Sequence, residues 1–300
     1  MREKTNLGGR FTFAGTSLTV NRMGYGAMQL AGQDGDKMVW GPPRDIPGAI
    51  AVLREAVASG VNHIDTSDFY GPHVTNQIIK QALHPYPDDL VIVTKVGARR
   101  GADGSWLHAR SRQEIIDAVH DNLRNLGLDA LQVVNLRLGG FAAPEDEPFE
   151  EPLSALAELK QQGLIQHIGL STVSPWQLAE ARAITEIVCI QNLYNLAQRG
   201  DDQFIDDLDA QGIAYVPYFP LGGFSPLQSA ELNAAAASLR ATPMQVALAW
   251  LLQRAPNMLL IPGTSSVGHL RENLAAATLE LPPATIAELD QIASAATRPA

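Results

Sequence analysis

The sequence predicts an α/β protein with the (β/α)8 architecture of a TIM barrel. Three observations support this prediction. Short runs rich in β-branched residues alternate with segments of helical spacing, the cycle repeats about every 25 to 45 residues, and eight runs of the first kind occur. A doubly wound sheet would carry a glycine-rich turn after its first strand, whereas this chain has Gly24-Tyr-Gly26 with no third glycine and no helix directly behind it.

The predicted elements begin with a β-hairpin between residues 10 and 21, where apolar residues alternate on both sides of Ala14-Gly15-Thr16. The eight predicted barrel strands then follow at Met23–Ala27, Asn62–Thr66, Val91–Val96, Leu131–Leu138, His167–Ser171, Ile187–Asn192, Ala214–Tyr218 and Leu259–Pro262. The predicted helices lie at Ile46–Ser59, Thr75–Leu83, Arg112–Asn125, Pro152–Gln162, Pro175–Ile184, Gln203–Gln211, Thr242–Arg254 and Val267–Ala277.

Several of these boundaries carry physical signals. Ser111 and Glu114 have the spacing of a capping box. Thr242-Pro243 places a capping hydroxyl before a proline at the first helical position. Gly127 follows a predicted helix at the point where a left-handed residue is favoured. These signals support the helix limits independently of the hydrophobic pattern.

Long connections follow three of the predicted strands, at residues 97–110, 139–151 and 222–229. In a barrel such loops lie on the C-terminal face, where active sites are built. No linker or shift in composition divides the chain. We therefore expect a single domain over residues 1–300, with a helix at the C-terminus.

Composition excludes several functional classes. The chain has 300 residues, of which 46% are hydrophobic and 18% charged, with a formal net charge of −10. An acidic chain is a poor ligand for nucleic acid or an anionic membrane, and no apolar run reaches the ~18 residues of a membrane span. The single cysteine, Cys189, allows no internal disulfide and no zinc site of several thiolates. We expect a cytoplasmic enzyme without a metal, as a monomer or a weak homo-oligomer.

Three polar residues lie at or just after the ends of neighbouring predicted strands. Asp65 ends the second strand, Tyr70 follows it in the loop, and Lys95 lies at the end of the third strand. A lysine ammonium favours the phenolate form and would lower the tyrosine pKa, and a carboxylate would hold that ammonium in place. Such a tyrosine can donate a proton to a carbonyl oxygen while a hydride arrives at the carbon.

Each of these residues also has an ordinary structural interpretation. Asp65 can cap a turn, Lys95 can be a solvated charge at the barrel rim, and Tyr70 can anchor the turn at Gly71-Pro72. His63, inside an apolar strand, is expected to be a core residue with no role. Only the joint placement of the three favours the functional interpretation.

The motifs around these residues resemble those of the aldo-keto reductases. Gly60-Val-Asn-His-Ile-Asp-Thr-Ser-Asp-Phe-Tyr-Gly71 is similar to the signature of that family, and Val93-Thr-Lys95-Val to its lysine strand. Further similarity follows in the same order at Leu126-Gly-Leu-Asp129, Ile168-Gly-Leu-Ser171, Ile190-Gln191-Asn192, Val216-Pro-Tyr218, Leu260-Ile-Pro-Gly-Thr264 and Arg271-Glu272-Asn273. The resemblance runs from about residue 16 to 290.

The resemblance implies a barrel whose bottom is closed by the hairpin, a hydride from NADPH, and the catalytic residues Asp65, Tyr70 and Lys95, with Tyr70 as proton donor. It also implies the cofactor-binding residues, namely Gly26, Ala27, Met28, Asp65, Ser171, Gln191, Tyr218, Phe219, Pro220, Leu221, Gly263, Thr264, Ser265, His269, Arg271, Glu272 and Asn273.

One departure from the family concerns its fourth catalytic position. The usual histidine is replaced by Arg137, and Asn135 points to the same face two residues earlier. Arginine stays protonated and cannot relay protons, but it can stabilise a developing alkoxide. We expect Arg137 to face the substrate together with Asn135. Alternatives are the binding of an anionic substrate group or an ion pair with Glu145.

A second departure concerns the cofactor phosphate. Many family members have a lysine or arginine near the positions of Gly263 and Ser265 to hold the 2′-phosphate of NADPH. Here the nearest bases are His269 and Arg271. Hydroxyl groups and the N-terminus of the following helix can also bind a phosphate, so we expect NADPH rather than NADH.

The substrate prediction depends on two segments, Val133-Val-Asn-Leu-Arg137 and Phe219-Pro-Leu-Gly-Gly-Phe224. They are similar to segments of a bacterial subgroup of the family that includes a pyridoxal reductase. This similarity implies reduction of the pyridoxal aldehyde to pyridoxine. Trp40, Phe69, Trp106 and Phe224 would supply aromatic walls for a flat heteroaromatic ring. The same aromatic residues could merely pack loops, and the same features fit a broad aldehyde or ketone reductase that accepts bulkier ketones.

Two interpretations come from other classes of protein. Lys95 could form a Schiff base in an aldolase on the same barrel, which would leave Tyr218 and Gln191 without a purpose. The loss of the usual histidine would also fit a non-catalytic regulator that binds NADPH without turning over.

Overall fold

The computed structural model describes residues 6–140, 144, 147–223, 227 and 229–292. The strands of this part are, in chain order, β1 Arg10–Thr12, β2 Thr19–Asn21, β3 Tyr25–Gly26, β4 Gln33–Asp34, β5 Lys37–Met38, β6 His63–Asp65, β7 Val91–Val96, β8 Ala98–Arg100, β9 Trp106–His108, β10 Leu131–Arg137, β11 Ile165–Ser171, β12 Ile187–Gln191 and β13 Ala214–Tyr215. Its α-helices are α1 Ile46–Ala58, α2 Val74–Leu83, α3 Arg112–Leu126, α4 Glu150–Gln161, α5 Pro175–Arg182, α6 Asp202–Asp209, α7 Ala230–Leu239, α8 Pro243–Arg254, α9 Val267–Ala275 and α10 Pro283–Leu289.

A parallel sheet of seven strands forms the centre of the fold, in the order β3-β6-β7-β10-β11-β12-β13. The eighth predicted strand is present as a chain segment with isolated bridges rather than as a continuous ladder. Met258 pairs with Tyr215 on one side, and Leu260 pairs with Met23 on the other. These bridges join the two edges of the sheet, and the predicted α/β barrel is confirmed.

The hairpin β1–β2 precedes the barrel and pairs Arg10 with Asn21. Its Phe13 and Val20 are buried in one cluster with inward-facing residues of the barrel, among them Val91, Val93, Val133, Val188, Ala214 and Leu259. Asn62, just before β6, accepts a hydrogen bond from the Asn21 N–H and donates one to the Thr19 carbonyl. The hairpin is thus attached to the chain at the start of β6.

The larger core lies between the sheet and the helices. Outward-facing strand residues such as Ile64, Ile92 and Val134 pack against apolar faces of the surrounding helices, for example Leu123 and Leu156. Burial of each such side chain contributes about 1.5–3 kcal/mol. This shell holds the strand ends, and hence the polar groups on them, in fixed positions.

Arg22 links the start of the barrel to the end of α8. Its guanidinium donates to four backbone carbonyls, those of Gly8 at 3.1 Å, Leu252 at 2.6 Å, Ala255 at 2.5 Å and Met258 at 3.1 Å. Arg22 therefore supplies the donors that several orphan carbonyls at the end of α8 need.

Substitution of Arg22 by Met should lower the free energy of unfolding by about 3 kcal/mol, because partly buried carbonyls lose their donors. The control is Arg124→Met, which removes a guanidinium paired with Asp121 on the surface and should change stability by less than about 1 kcal/mol. Urea unfolding of both variants measures the difference. Equal losses in the two variants would show that the carbonyl contacts carry no stability.

The predicted helices all have a counterpart in the structure, with ends that differ by a few residues. The capping boxes at Ser111 and Thr242 and the left-handed Gly127 are present. One further helix, α7, was not predicted, because its sequence AELNAAAASL is so rich in alanine that it lacks a clear apolar stripe. Ser229, whose hydroxyl accepts from the Leu232 N–H, was the available signal.

Within the described residues, none of the helices combines the length and the apolar character that crossing a membrane requires.

Candidate active site

A cavity of about 700 Å³ opens at the carboxyl ends of the strands. Its wall combines strand ends with loop residues that are far apart in the sequence. Many of the residues predicted at a cofactor site line it, namely Gly26, Met28, Asp65, Tyr218, Phe219, Pro220, Leu221, Gly263 and Ser265. Tyr70 and Lys95 line it as well. The barrel thus brings the predicted residues together at the face expected for an active site.

A buried ion pair lies at the bottom of the cavity. The Lys95 ammonium donates to Asp65 Oδ1 at 2.6 Å and to the Thr66 carbonyl at 2.9 Å. Gln191 Nε2 donates to the other carboxylate oxygen of Asp65 at 2.8 Å. Each side chain of the pair is 4% exposed. Both oxygens of the carboxylate are therefore engaged, and the ammonium is held in one position.

The charge of Lys95 is determined by these neighbours. Burial disfavours the ammonium, but Asp65 and Tyr70 favour it more strongly, so the pKa of Lys95 is raised above its ordinary value. Lys95 is consequently a cation at neutral pH. A charged lysine next to a tyrosine is suited to electrostatic stabilisation of a phenolate and unsuited to Schiff-base formation, which needs the neutral amine.

Tyr70 lies in the loop that follows β6 and is 7% exposed. Its ring centroid is 5.1 Å from the Lys95 ammonium, close enough for the charge of that ammonium to act on the Tyr70 hydroxyl. Burial raises the pKa of Tyr70 above its ordinary value, and the charges of Lys95 and Arg137 offset this only in part. The prediction of a lowered tyrosine pKa is therefore wrong for this structure, because desolvation outweighs the ammonium.

Three buried polar side chains lie beside this group and have atoms without a hydrogen-bond partner among the described residues. These atoms are Asn135 Nδ2, Ser171 Oγ and Gln191 Oε1. Ser171 and Gln191 are paired across β11 and β12. A buried hydroxyl and a buried amide oxygen without partners match a ligand group that both donates and accepts hydrogen bonds, as a carboxamide does.

Asn135 lies deeper in the barrel than its predicted role requires. It is fully buried, and its Oδ1 accepts a hydrogen bond from Cys189 Sγ at 3.2 Å. The absence of a side chain at Gly169 makes room for it, since a Cβ there would lie 2.1 Å from Asn135 Oδ1. The structure therefore places Asn135 in the barrel interior and not on the wall of the cavity.

Arg137 lies at the rim, at the end of β10. Its Nη2 donates to the carbonyl of Gly140, in the loop that follows, at 2.5 Å. Its charge acts on both Tyr70 and Tyr218 and offsets part of the rise in pKa that burial causes in each. Arg137 is thus close enough for its charge to act on Tyr70 and Tyr218. Glu145, the ion-pair partner considered in the sequence analysis, lies outside the described residues.

Tyr218 to Leu221 form one wall of the cavity. The Tyr218 hydroxyl lies 3.4 Å from Thr172 Oγ1, and Phe219 adopts a left-handed backbone with φ of 53°. Asn195 Nδ2 donates to the Phe219 carbonyl at 3.0 Å and stabilises this turn. The segment is therefore fixed by contacts from the neighbouring loop.

The opposite strands bring Gly26 and Gly263 together. A Cβ at Gly26 would lie 2.4 Å from the Ile261 carbonyl, so only glycine permits this approach of the two chains. The other predicted residues of this end do not line the cavity. The Ala27 N–H donates to the Asp65 carbonyl, and the Thr264 carbonyl accepts a hydrogen bond from the Tyr25 hydroxyl. Glu272 accepts a hydrogen bond from Thr242, and Arg271 donates one to Glu55 at 2.8 Å. Asn273 is buried and His269 is exposed.

The predicted aromatic wall is arranged differently. The guanidinium of Arg100 lies 4.0 Å from the Trp106 ring centroid and 5.5 Å from that of Trp40. Neither tryptophan lines the cavity, because both pack the hairpin β4–β5 against the hairpin β8–β9. Phe69 is buried between Trp106 and Tyr70 in edge contacts, and Phe224 lies outside the described residues.

His63 is a core residue, as the sequence predicts. It is 1% exposed, and burial lowers its pKa to about 4, so the ring is neutral at physiological pH.

Other residues on the cavity wall were not predicted. Gln29, Met38, Val39 and Arg44 all belong to the connection between β3 and α1. Long connections after barrel strands are typical sites of binding residues, and this was the available signal. The sequence Gly41-Pro-Pro-Arg-Asp45 gives no indication, however, of the direction in which Arg44 points.

Comparisons with known proteins agree with this geometry. The chain is 66% identical to the pyridoxine 4-dehydrogenase of Escherichia coli strain K12 over 283 residues, which are 94% of this chain and 98% of that one. It is 36% identical to an uncharacterized oxidoreductase of Schizosaccharomyces pombe over 91% of this chain and 87% of that one. The crystal structure of the thermostable aldo-keto reductase Tm1743 with the inhibitor epalrestat superposes with a TM-score of 0.79 at 28% identity, covering 94% and 99% of the two chains. The profile of the aldo/keto reductase family matches residues 22–294. The protein belongs to the aldo/keto reductase family.

Proposed function

We propose that the protein reduces an aldehyde or ketone to an alcohol with NADPH, and that its substrate is pyridoxal, which it converts to pyridoxine. The observation that carries the reaction type is the buried group of Asp65, Lys95 and Tyr70 at the bottom of the cavity. The substrate assignment rests on the 66% identity to a protein named pyridoxine 4-dehydrogenase.

In this proposal Tyr70 donates its hydroxyl proton to the substrate oxygen. The Lys95 ammonium then stabilises the phenolate, and Asp65 keeps that ammonium charged and in place. NADPH supplies the hydride when it is bound. Arg137 adds a second positive charge near the reacting oxygen, which favours the developing alkoxide.

The residues present fit this cofactor. Ser171 Oγ and Gln191 Oε1 are buried beside the catalytic group, have no hydrogen-bond partner in the described part of the chain, and would hold the carboxamide of the nicotinamide. Tyr218 offers an aromatic face on the cavity wall, and Gly26, Gly263 and Ser265 line the part assigned to the adenosine end. The remaining sequence-predicted contacts around Arg271 would require rearrangement, because Arg271 is paired with Glu55.

The proposal extends to the organisation of the chain. The family profile covers residues 22–294 of the 300, and we propose one domain over residues 1–300. The single cysteine is compatible with a cytoplasmic location, and we propose a monomer or weak homo-oligomer.

The direct test follows the consumption of NADPH or NADH with pyridoxal and with a panel of other aldehydes and ketones. We expect pyridoxal with NADPH to give the highest kcat/KM. Comparable kcat/KM values across the panel would show that the enzyme has a broad specificity for carbonyl compounds and no preference for pyridoxal. Tight NADPH binding without turnover would show that the protein is a regulator and not an enzyme. Trapping of a substrate on Lys95 by borohydride would show that it is a Schiff-base aldolase.

The pH dependence follows from the raised pKa of Tyr70. The neutral hydroxyl is the proton donor, and it persists at every pH below its raised pKa. The kcat of reduction should therefore stay level from about pH 6 to about pH 9, whereas alcohol oxidation, which needs the phenolate, should accelerate as the pH rises. A fall in the reduction kcat over this range in folded protein would argue against Tyr70 as the donor.

Replacement of Arg137 by His tests the role of the positive charge that Arg137 places near the substrate oxygen. Reduction should persist, since either side chain can donate to the substrate oxygen, but kcat should now decrease as the imidazole loses its proton near about pH 6.5. Kinetic pH profiles of both proteins give the comparison. A complete loss of reduction at acidic pH would mean that Arg137 does more than supply a positive donor.

A further inference from the structure

An arginine at the edge of the cavity has no role in the reaction described above. Arg44 lies in the connection between β3 and α1, directly before the N-cap residue of that helix, and is one of the residues that line the cavity. It is exposed. Among the described residues no carboxylate pairs with it and no hydrogen bond holds it.

The other charged groups on the described wall of the cavity are already engaged. Lys95 is bound to Asp65 at 2.6 Å. Asp45 accepts a hydrogen bond from the Gly48 N–H at 2.9 Å and caps α1. Arg44 is therefore the one cation on this wall, within the part of the chain that the structure describes, whose charge is not balanced by a partner.

The net charge of the molecule bears on the role of Arg44. The net charge of −10 repels an anionic ligand at long range. A cavity that takes a ligand with phosphate groups therefore needs local positive charge. The guanidinium of arginine is the side chain best suited to this, because its planar fork matches the oxygens of a phosphate.

The two basic residues expected from the sequence for this purpose lie away from the cavity. Arg271 donates to Glu55 at 2.8 Å, and neither it nor His269 lines the cavity. Ser265, which does line it, offers a hydroxyl without charge. Arg44 lines the same cavity as Ser265 and can supply a positive charge there.

We propose that Arg44 binds a phosphate of the dinucleotide cofactor. The inference rests on the proposed function, since that function supplies the ligand. The partner is either the 2′-phosphate or the pyrophosphate of the cofactor. The 2′-phosphate occurs only in NADPH, whereas the pyrophosphate occurs in both NADPH and NADH, so binding of the two cofactors separates them.

The experiment measures the dissociation constants of NADPH and NADH by titration calorimetry for the unmodified protein, Arg44→Gln, Arg44→Lys and Arg10→Gln. Arg10 is an exposed arginine in β1 of the N-terminal hairpin, outside the cavity, and Arg10→Gln removes the same charge from the molecule. Thermal unfolding of each variant verifies that it is folded.

We expect Arg44→Gln to weaken NADPH binding by about tenfold or more, the loss of one charged hydrogen-bonding partner. Arg44→Lys should retain part of the affinity, and Arg10→Gln should bind within about twofold of the unmodified protein. A loss confined to NADPH assigns Arg44 to the 2′-phosphate, and an equal loss for NADH assigns it to the pyrophosphate.

Unchanged binding of both cofactors by Arg44→Gln would overturn the inference and leave the proposed function intact. An equal loss in Arg10→Gln would also overturn it, because the effect would then be one of total charge. If the unmodified protein bound neither dinucleotide, the proposed function would fail together with the inference.

Discussion

Substitution of Tyr70 by Phe is expected to lower the kcat of carbonyl reduction by between about 100-fold and about 10,000-fold. The change removes the hydroxyl on which the Lys95 charge acts and leaves the buried ring in its contact with Phe69. Cofactor affinity should therefore change by less than about twofold. Steady-state kinetics and dinucleotide titration together measure the two effects.

Tyr86→Phe is the matched control for this prediction. The Tyr86 hydroxyl donates to the Leu126 carbonyl at 2.7 Å, and Tyr86 is not among the residues that line the cavity. The control loses a tyrosine hydroxyl but not the proton donor of the reaction. If Tyr70→Phe retained most of its kcat, or if Tyr86→Phe lost as much, the assignment of Tyr70 would be wrong.

Substitution of Lys95 by Met is expected to abolish reduction and to lower the free energy of unfolding by about 3–5 kcal/mol. The physical reason is that the Asp65 carboxylate, 4% exposed, would keep its charge without its ammonium partner. Urea unfolding at neutral pH measures the stability, and single-turnover reduction measures the chemistry.

A double variant separates the two effects of Lys95. Lys95→Met combined with Asp65→Asn removes both charges and should recover a large part of the lost stability, because no buried charge remains unpaired. Its activity should stay absent, since no ammonium faces Tyr70. A double variant as unstable as Lys95→Met alone would show that packing, rather than the unpaired carboxylate, causes the loss.

The meeting of Asp65 with Lys95 could be predicted from the sequence because it depends on topology. β6 and β7 are adjacent parallel strands, with Asp65 paired to Val93, and both polar residues lie toward the carboxyl ends. Parallel strands of a barrel place such residues on one face. Any sequence that specifies this strand order brings the two groups together.

The direction of the Tyr70 pKa shift could not be predicted in the same way. The sequence indicates which charges lie near the hydroxyl but not how far the surrounding loops exclude water. Phe69 packs against Tyr70, and Trp106 packs against Phe69. The desolvation of Tyr70 then exceeds the effect of Lys95. The balance depends on loop packing, which has no periodic signal.

The roles of Trp40 and Trp106 show the same limit. Both are aromatic residues in loops at the mouth of the barrel, which suggested a wall for a flat substrate. Arg100 lies between them and also donates to the carbonyls of Val39 and Gly104. Arg100 thus holds two loops together through contacts with residues about 60 positions away in the sequence. Local sequence patterns do not predict contacts of this kind.

The most direct test of the proposed reaction uses pyridoxal and NADPH that carries deuterium at the transferable position of the nicotinamide ring. Mass spectrometry of the product then reports the origin of the new hydrogen. The account predicts pyridoxine with one deuterium on the carbon of the former aldehyde, and at least about 100-fold less of it from Tyr70→Phe over the same time. Pyridoxine without deuterium, or an unchanged aldehyde with the unmodified protein, would contradict it.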